Sequence, residues 1–356
     1  MGYCNIAINL TKENNNMKNK LLLTTAIAGL MAVGGVAQAE TKVSGNLEQT
    51  FRAISDDASN GAASSSGLGA EYNIGLSSSA ELDNGLTAKF GFNLEANGGA
   101  AGADVHYLTI GNDTMSVSIA RDNGNNLSSS GIPHISDTVS TVVDGAYNNL
   151  GVAASDGHND EHIRADINAM GGTLTLRYVP TDGNGGNPSG PASGTVGQIT
   201  SETANSAYDV IYRGSLGVEG LSVVAGQHKV DGTGTAQDVV LNKYSVAYNF
   251  GQFAAGVEIQ KSEMAGTAAT LKDEHDSKAA SITFAVNDKL SLGVARAETE
   301  FTNEGVKDPD EEKTTMIGVG YSLGGVAIDI NYAMTDNFNN GATDRDTLQI
   351  RTIQKF

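Results

Sequence analysis

The chain has 356 residues, and its 22 lysines and arginines against 41 aspartates and glutamates give a formal net charge of −19 at pH 7. So acidic a chain offers no basic patch to neutralise phosphates, which excludes a nucleic-acid-binding protein. The single cysteine, Cys4, precedes the cleavage site proposed below, so we expect neither disulfides nor thiolate metal sites in the mature chain.

The amino terminus has the features of a secretory signal peptide. Lys18 and Lys20 precede an apolar run, and Ala37-Gln38-Ala39 forms a small-residue cleavage site. The run is too short and too rich in Gly and Ala for a membrane anchor, and no later segment approaches the roughly 18 apolar residues that a helical span needs. We predict a signal peptide over residues 17–39 and a mature chain over residues 40–356.

Residues 1–16 have the character of neither a signal nor a domain. Lys12-Glu13 can be encoded by a purine-rich ribosome-binding sequence at a suitable distance before Met17, so we expect translation to start at Met17, with a genuine extended leader as the alternative. Without its first 39 residues the chain keeps 19 basic and 40 acidic residues, a net charge of −21.

Apolar side chains recur at every second position over most of the chain. From Lys42 to Ala53, one parity is apolar apart from Gln49, and the other is polar or charged. Successive side chains of a strand point to opposite faces, so one set would face lipid or a neighbouring subunit and the other set water. Only a closed sheet leaves no unpaired backbone in a membrane, so the pattern predicts an outer-membrane β-barrel.

Tight turns and long polar loops alternate along the chain. The predicted turns are Asp83-Asn84-Gly85, Asn112-Asp113, Gly171-Gly172, Val218-Glu219-Gly220, Gly251-Gln252, Asn287-Asp288-Lys289 and Gly324-Gly325. The predicted loops lie near residues 55–69, 97–103, 122–158, 181–205, 231–238, 262–277, 300–311 and 337–344. With both chain ends on the turn side, seven turns and eight loops correspond to sixteen strands.

The last strand ends in an aromatic residue, Phe356, preceded on the same face by Ile350 and Thr352. Such an ending resembles the assembly signal of outer-membrane proteins, although Gln354 stands where an apolar residue is more usual. The sixteenth strand must pair with the first strand, because closure removes the sheet edges.

The whole mature chain, residues 40–356, resembles the general diffusion porins of Gram-negative bacteria, most closely the alphaproteobacterial type. The opening strand at residues 41–45, the hairpin at residues 80–86, the strand count and Phe356 carry this resemblance. It implies a 16-stranded antiparallel transmembrane β-barrel in the outer membrane, assembled as a homotrimer in which each barrel has its own pore. In that family the third loop folds inward and forms the pore constriction.

The loop at residues 122–158 is the longest and follows the fifth strand, so we identify it as the candidate constriction loop. Apolar residues recur within it at helical spacing, which suggests a short helix flanked by Asp137 and Asp144, both predicted to face the pore. The Pro-Glu-Phe-Gly-Gly motif of the enteric porins is absent, so position and length alone carry this prediction.

Porins of this type carry basic side chains on the wall opposite that loop. The inward parity here offers Lys42, Arg52, Lys89, Arg164, Arg177 and Arg213 as candidates. Carboxylates facing guanidinium groups create a transverse field that favours dipolar solutes over apolar ones. The alternative is that several of these arginines pair with neighbouring strand carboxylates such as Asp166 and Asp209.

We therefore expect a non-enzymatic channel for passive diffusion of small hydrophilic solutes and ions, with no cofactor and a weak cation preference that wall arginines could reverse.

One rival interpretation is an outer-membrane protease or phospholipase. The two histidines with predicted inward parity, His106 and His162, lack a partner motif for such an enzyme. Another is an adhesin, which would need one very long loop. Acidic loops, such as Asp56-Asp57, could bridge through divalent cations to lipopolysaccharide, but a solvated surface is the simpler interpretation and no metal site is predicted.

Overall fold

The computed structural model describes residues 40–57, 64–96, 102–121, 127, 131–133, 162–182, 205–231, 238–265, 272–303, 306–307, 310–338 and 343–356. The expected leader (residues 1–16) and signal peptide (residues 17–39) lie outside the described residues. None of the described residues forms a helix long and apolar enough to cross a membrane.

The described residues form seventeen strands in one antiparallel sheet. In chain order they are β1 Glu40–Asp57, β2 Ser65–Glu81, β3 Thr87–Ala96, β4 Gly102–Gly111, β5 Met115–Arg121, β6 His162–Ala169, β7 Gly172–Asp182, β8 Asn205–Gly214, β9 Leu221–Asp231, β10 Val239–Phe250, β11 Phe253–Ala265, β12 Lys272–Ala285, β13 Leu290–Asn303, β14 Val306–Lys307, β15 Glu312–Ser322, β16 Val326–Asp336 and β17 Asp344–Lys355. The two-residue β14 pairs only with the tip of β13, which pairs along its length with β15. Sixteen strands therefore build the wall, and the predicted strand number is confirmed.

The first and last strands close the sheet into a barrel. β1 pairs with β17 from Asn46 opposite Lys355 to Asp57 opposite Asp344. Beyond that ladder, the amide groups and carbonyls of Gly45 and Phe356 exchange two hydrogen bonds of 3.0 Å each. The predicted pairing of the last strand with the first is confirmed, and the ring of wall strands has no free edge.

The two faces of the wall differ as the alternation predicts. In β10, Lys243 and Ser245 point inward and are 1% and 2% exposed, whereas Tyr244 and Val246 point outward and are 51% and 48% exposed. Outward residues of the other strands are likewise apolar and exposed across the middle of the wall. His106 departs from the prediction, because it stands opposite the outward Phe92 and alternates with the inward Tyr107, so its side chain faces outward.

A short connection occurs at each of the seven predicted turns, but the one between β8 and β9 is longer than predicted, over residues 215–220, and another is shifted by one residue. Between β6 and β7 the turn is Met170-Gly171, with φ angles of 53° and 70°, and Gly172 already pairs with Ala169. Two successive residues at positive φ match the primed turns whose twist suits a hairpin, and glycine accepts that conformation without strain.

Several strands extend beyond their predicted ends at the long-loop side. The loop expected over residues 262–277 is shorter, because β11 continues to Ala265 and β12 begins at Lys272. Apolar alternation stops there while backbone pairing continues, and the outward Lys261 contacts Glu274 at 3.2 Å across the pair. The strands of the wall therefore extend beyond its apolar band at the long-loop side. We call this extension, which includes Lys261 and Lys278, the charged collar.

An aromatic ladder covers the outer surface of β10–β12 beside the short turns. Phe253 stacks on Phe250 at 5.7 Å and on Phe284 at 4.6 Å between ring centroids, and Tyr248 continues the row at 6.5 Å from Phe250. Outward aromatic rings in this position are typical of the interfacial girdle of a transmembrane barrel.

Candidate functional site

A segment of the third loop lies inside the barrel. Leu127 and Ile132 are only 1% and 2% exposed, and the described part of this segment (Leu127 and residues 131–133) contacts the inner face of β9–β12. The loop leaves the wall after β5, so this segment has entered the lumen and docked several strands away. The expected inward course is seen for these residues, whereas Asp137 and Asp144 lie outside the described residues.

A buried ion pair fixes this segment to the wall. Lys243 Nζ donates to the carbonyl oxygen of Leu127 at 2.8 Å, and the Gly131 amide donates to Glu258 Oε2 at 2.6 Å. Lys243 Nζ and Glu258 Oε1 are 3.4 Å apart, and their side chains are 1% and 0% exposed. Each charge therefore offsets the other while it satisfies one backbone group of the loop. We call Lys243 and Glu258 the loop anchor.

Glycines make room for this docking on both surfaces. A Cβ atom at Gly131 would lie 1.7 Å from Ser245 Oγ, one at Gly226 2.7 Å from Leu127 Cδ2, and one at Gly256 2.7 Å from Pro133 Cδ. The carbonyl of Pro133 accepts a 2.5 Å hydrogen bond from Ser281 Oγ. The loop thus seats against the backbone of the wall, which side chains at these glycines would prevent.

Across the lumen from the loop anchor, the inner face of β17, β1 and β2 is polar and charged. We call this surface the polar wall; in the circular order of the sheet it is separated from β9–β12 by β3–β8 on one side and by β13, β15 and β16 on the other. Its ion pairs join neighbouring strands: Arg351 contacts Glu48 at 2.5 Å, and Arg345 contacts Asp56 through hydrogen bonds of 2.6 and 2.7 Å. The bidentate contact occupies Asp56, one of the carboxylates considered for divalent cations.

The six predicted basic residues all follow inward parity but meet different environments. Lys42, Arg52 and Lys89 are exposed on β1 and β3, where they reach the water of the lumen. Arg52 Nη2 also donates to Gln349 Oε1 at 3.3 Å. Arg213 is partly buried on β8, where it stands opposite Thr173.

Arg164 and Arg177 are 7% and 4% exposed, so neither offers its charge to a passing solute. Arg164 Nε contacts Asp166 at 2.9 Å, and Arg177 is paired with Asp209. This geometry favours the alternative interpretation, in which these arginines pair with neighbouring strand carboxylates. Strand parity predicts that these arginines face inward, but it does not predict that they are buried. Their burial arises because the interior of the barrel is unevenly filled.

Buried histidines belong to the same polar interior. His228 Nδ1 is 2.6 Å from Asp209 Oδ1, and both side chains are 0% exposed. His228 lies within β9, opposite Asp209 of β8. A substrate could not reach this pair, and within the described part of the chain no three His, Cys, Asp or Glu side chains could hold a metal ion.

Sequence reasoning did not single out the loop anchor or the two arginines of β17. Arg345 and Arg351 have inward parity in β17, so the alternation that identifies the inward basic residues of other strands applies to them as well. Lys243 and Glu258 carry a weaker signal: each is the only charged residue at an inward position of its strand, β10 or β11. Their role depends on the docked loop and has no local pattern.

Comparisons with known proteins agree with this architecture. A family model described as Gram-negative porin matches residues 24–348. The trimer form of OmpT, an outer membrane protein of Vibrio cholerae, is similar over 90% of this chain and 100% of that chain, with 14% identity and a TM-score of 0.62. The anion-selective porin from Comamonas acidovorans gives 15% identity and 0.62 over 90% and 100%. A mutant of the Rh. blastica porin gives 12% and 0.56 over 89% and 100%. No curated protein sequence gives a significant match.

Proposed function

Since the chain belongs to the Gram-negative porin family and resides in the bacterial outer membrane, we propose that it forms a water-filled channel for passive diffusion of small hydrophilic solutes and ions. The observation that carries this proposal is the closed wall with a polar inner face and a loop docked within it. Flow down a concentration gradient through such a channel needs no energy source, so no cofactor enters the mechanism.

The constriction arises between the third loop and the polar wall. The loop anchor positions the loop on β9–β12, and Lys42, Arg52 and Lys89 offer exposed cations on the facing side. Asp137 and Asp144 supply the carboxylates of the loop side in this proposal. A transverse field between the two surfaces would orient dipolar solutes and disfavour apolar ones.

Ion selectivity in this proposal is weak and leans towards cations, because the mature chain carries a net charge of −21, from 19 basic and 40 acidic residues. Charges far from the constriction are screened over about 10 Å at 0.1 M salt, so their influence is small. The anion-selective relative from Comamonas acidovorans gives this sign no support. Reversal potentials across planar bilayers measure the sign directly, and a clear chloride preference would overturn the cation assignment.

Assembly as a homotrimer is part of the proposal, in line with the trimer form of the Vibrio cholerae relative. Gly45 and Gln49 interrupt the apolar outer face of β1, and such small or polar outward positions suit a subunit contact better than lipid. Phe356 acts as the assembly signal. The charged collar, which includes Lys261 and Lys278, is the surface proposed to meet lipopolysaccharide phosphates.

Single-channel recording of the purified protein in planar bilayers tests the pore and the trimer together. We expect ohmic current that closes in three equal steps, because each barrel would conduct independently. An electrically silent protein in bilayers, combined with proteoliposomes that exclude small sugars, would overturn the channel proposal. Single-step closure of a conducting protein would remove only the trimer.

A further inference from the structure

The polar wall contains a recess of about 400 Å³ that opens into the lumen. Its lining includes Asn46 and Glu48 of β1, Glu71 and Asn73 of β2, and Arg351 and Lys355 of β17. All six side chains have inward parity, as their pairing positions across β17, β1 and β2 show. A solute in the channel can therefore reach this recess from the water.

The charges that line the recess are unequally compensated. Arg351 neutralises Glu48 through their 2.5 Å contact. Glu71 accepts a 2.6 Å hydrogen bond from Asn73 Nδ2, and within the described residues it has no cationic partner. Lys355 is exposed and likewise forms no ion pair with any described residue. One carboxylate and one ammonium group are thus left facing the same recess.

Strand geometry sets the distance between these two charges. Lys355 pairs with Asn46, which pairs with Asn73, and Glu71 lies two residues from Asn73 along β2. With strand spacings of ~4.8 Å and a rise of ~3.4 Å per residue, the Cα atoms of Glu71 and Lys355 are roughly 12 Å apart. Side chains of a strand stand roughly perpendicular to the sheet, so the two charged groups project into the lumen side by side and leave a gap that a small molecule with two opposite charges can fill.

We infer that this recess is a binding subsite for small zwitterionic solutes, which place an ammonium group at Glu71 and a carboxylate at Lys355. The inference rests on the proposed channel function and names a solute class that the channel favours. A simple anion would be repelled by Glu71, and a simple cation by Lys355, whereas a zwitterion satisfies both groups with charge-assisted hydrogen bonds. Asn46 and Asn73 supply amide groups that can accept and donate further bonds.

Such a subsite changes the concentration dependence of flux and leaves its passive nature unchanged. Binding must be strong enough to draw the solute in and weak enough to release it. Because both charges are solvated, the interaction at each end is modest, and loss of one end is expected to lower the zwitterion flux at low concentration roughly three- to tenfold.

The experiment uses the full-length protein in proteoliposomes, with influx of radiolabelled β-alanine measured against influx of arabinose, which is uncharged. In the unmodified protein we expect β-alanine influx to saturate and arabinose influx to rise linearly with concentration. Glu71→Gln and Lys355→Gln should each lower β-alanine influx at low concentration by the stated factor and leave arabinose influx unchanged. Unchanged arabinose influx also shows that the variants have folded.

Matched controls carry the same charge changes outside the recess. Glu81→Gln alters an exposed inward residue of β2, and Lys289→Gln alters an exposed residue of the turn between β12 and β13; both should leave the β-alanine to arabinose ratio at its original value. Linear β-alanine influx that is equal in the unmodified protein and both recess variants would overturn the subsite while the channel stands. Absence of arabinose influx in the unmodified protein would instead overturn the channel, and the subsite with it.

Discussion

At the scale of single residues, the loop anchor shows how a charge pair can hold a polar loop inside a barrel. Lys243→Met removes one member of this buried ion pair together with its hydrogen bond to the Leu127 carbonyl, and such a loss typically costs about 3–5 kcal/mol. We expect the third loop to leave the wall part of the time, so open-channel noise should increase in single-channel recordings. Lys278→Met, an exposed outward lysine on β12, provides the control, and equal noise in both variants would show that the anchor does not hold the loop.

Gly131 is the described residue of the docked loop with the least room for a side chain. Its missing Cβ would lie 1.7 Å from Ser245 Oγ and 2.7 Å from Ser245 Cβ, so Gly131→Ala should weaken docking by about 1–3 kcal/mol, as overpacked sites commonly do. The conductance distribution should broaden. Adding Ser245→Gly removes both clashing atoms and should restore a single conductance level, whereas a double variant as heterogeneous as Gly131→Ala would contradict the steric account.

At the scale of elements, the aromatic ladder joins β10, β11 and β12 on the lipid-facing surface. Phe253 contributes two stacked pairs, with Phe250 and Phe284. Since each such pair is worth about 0.5–1.5 kcal/mol beyond its buried area, Phe253→Leu should lower the free energy of unfolding by about 1–3 kcal/mol. Urea unfolding in phospholipid vesicles measures this change. Phe90→Leu is the matched control, because Phe90 is outward and forms no ring stack with a described residue; an equal loss there would refute a role for stacking.

The contact between β1 and β17 has its own sensitive position at Gly45. A Cβ there would lie 2.4 Å from the Phe356 ring and 2.6 Å from the backbone oxygen of Asn73, so Gly45→Val should reduce the folded fraction after refolding into detergent micelles. The Asn73 oxygen belongs to the backbone and cannot move aside easily, unlike the Phe356 ring. The loss of folded protein should therefore be larger than a clash with the ring alone would cause. Gly67→Ala, in β2 with nothing within 4 Å of the added atom, should refold normally, and comparable yields for the two variants would contradict this prediction.

At the scale of the whole molecule, we expect the polar wall to influence the ion preference of the proposed channel. Arg351→Met uncovers Glu48 and should shift the reversal potential in a KCl gradient towards cation preference. The shift should shrink as salt rises from 0.1 M to 1 M, because the screening length falls from about 10 Å to 3 Å. Arg296→Met removes the same charge from an outward, 52% exposed side chain and should have little effect; a shift as large as that of Arg351→Met would mean that the lumen charge is not what the measurement senses.

The sequence predicts a structural feature well when that feature depends on residues close together in the chain, and poorly when it depends on contacts between distant strands. Alternation is local, so it identified the wall strands, the seven turns and the inward parity of Arg52 and Arg177. It could not separate these two arginines, one exposed and one 4% exposed, because burial inside the lumen depends on contacts between strands. Strand ends were misjudged at β11 and β12, where charged outward side chains end the apolar pattern before the backbone ladder ends.

The seam between β1 and β17 has a consequence for how the molecule folds. Arg351 and Glu48, which meet there, are 303 positions apart in sequence, so closure of the barrel brings together the first and last strands of the sheet. Contacts of such long range carry a high entropic cost before they bring any gain, which slows folding. Until the last strand pairs with the first, both edges of the sheet are unpaired and its apolar surface is exposed, so other chains can associate with it. We expect periplasmic chaperoning to matter most in that interval, and spontaneous unfolding to begin where the seam parts.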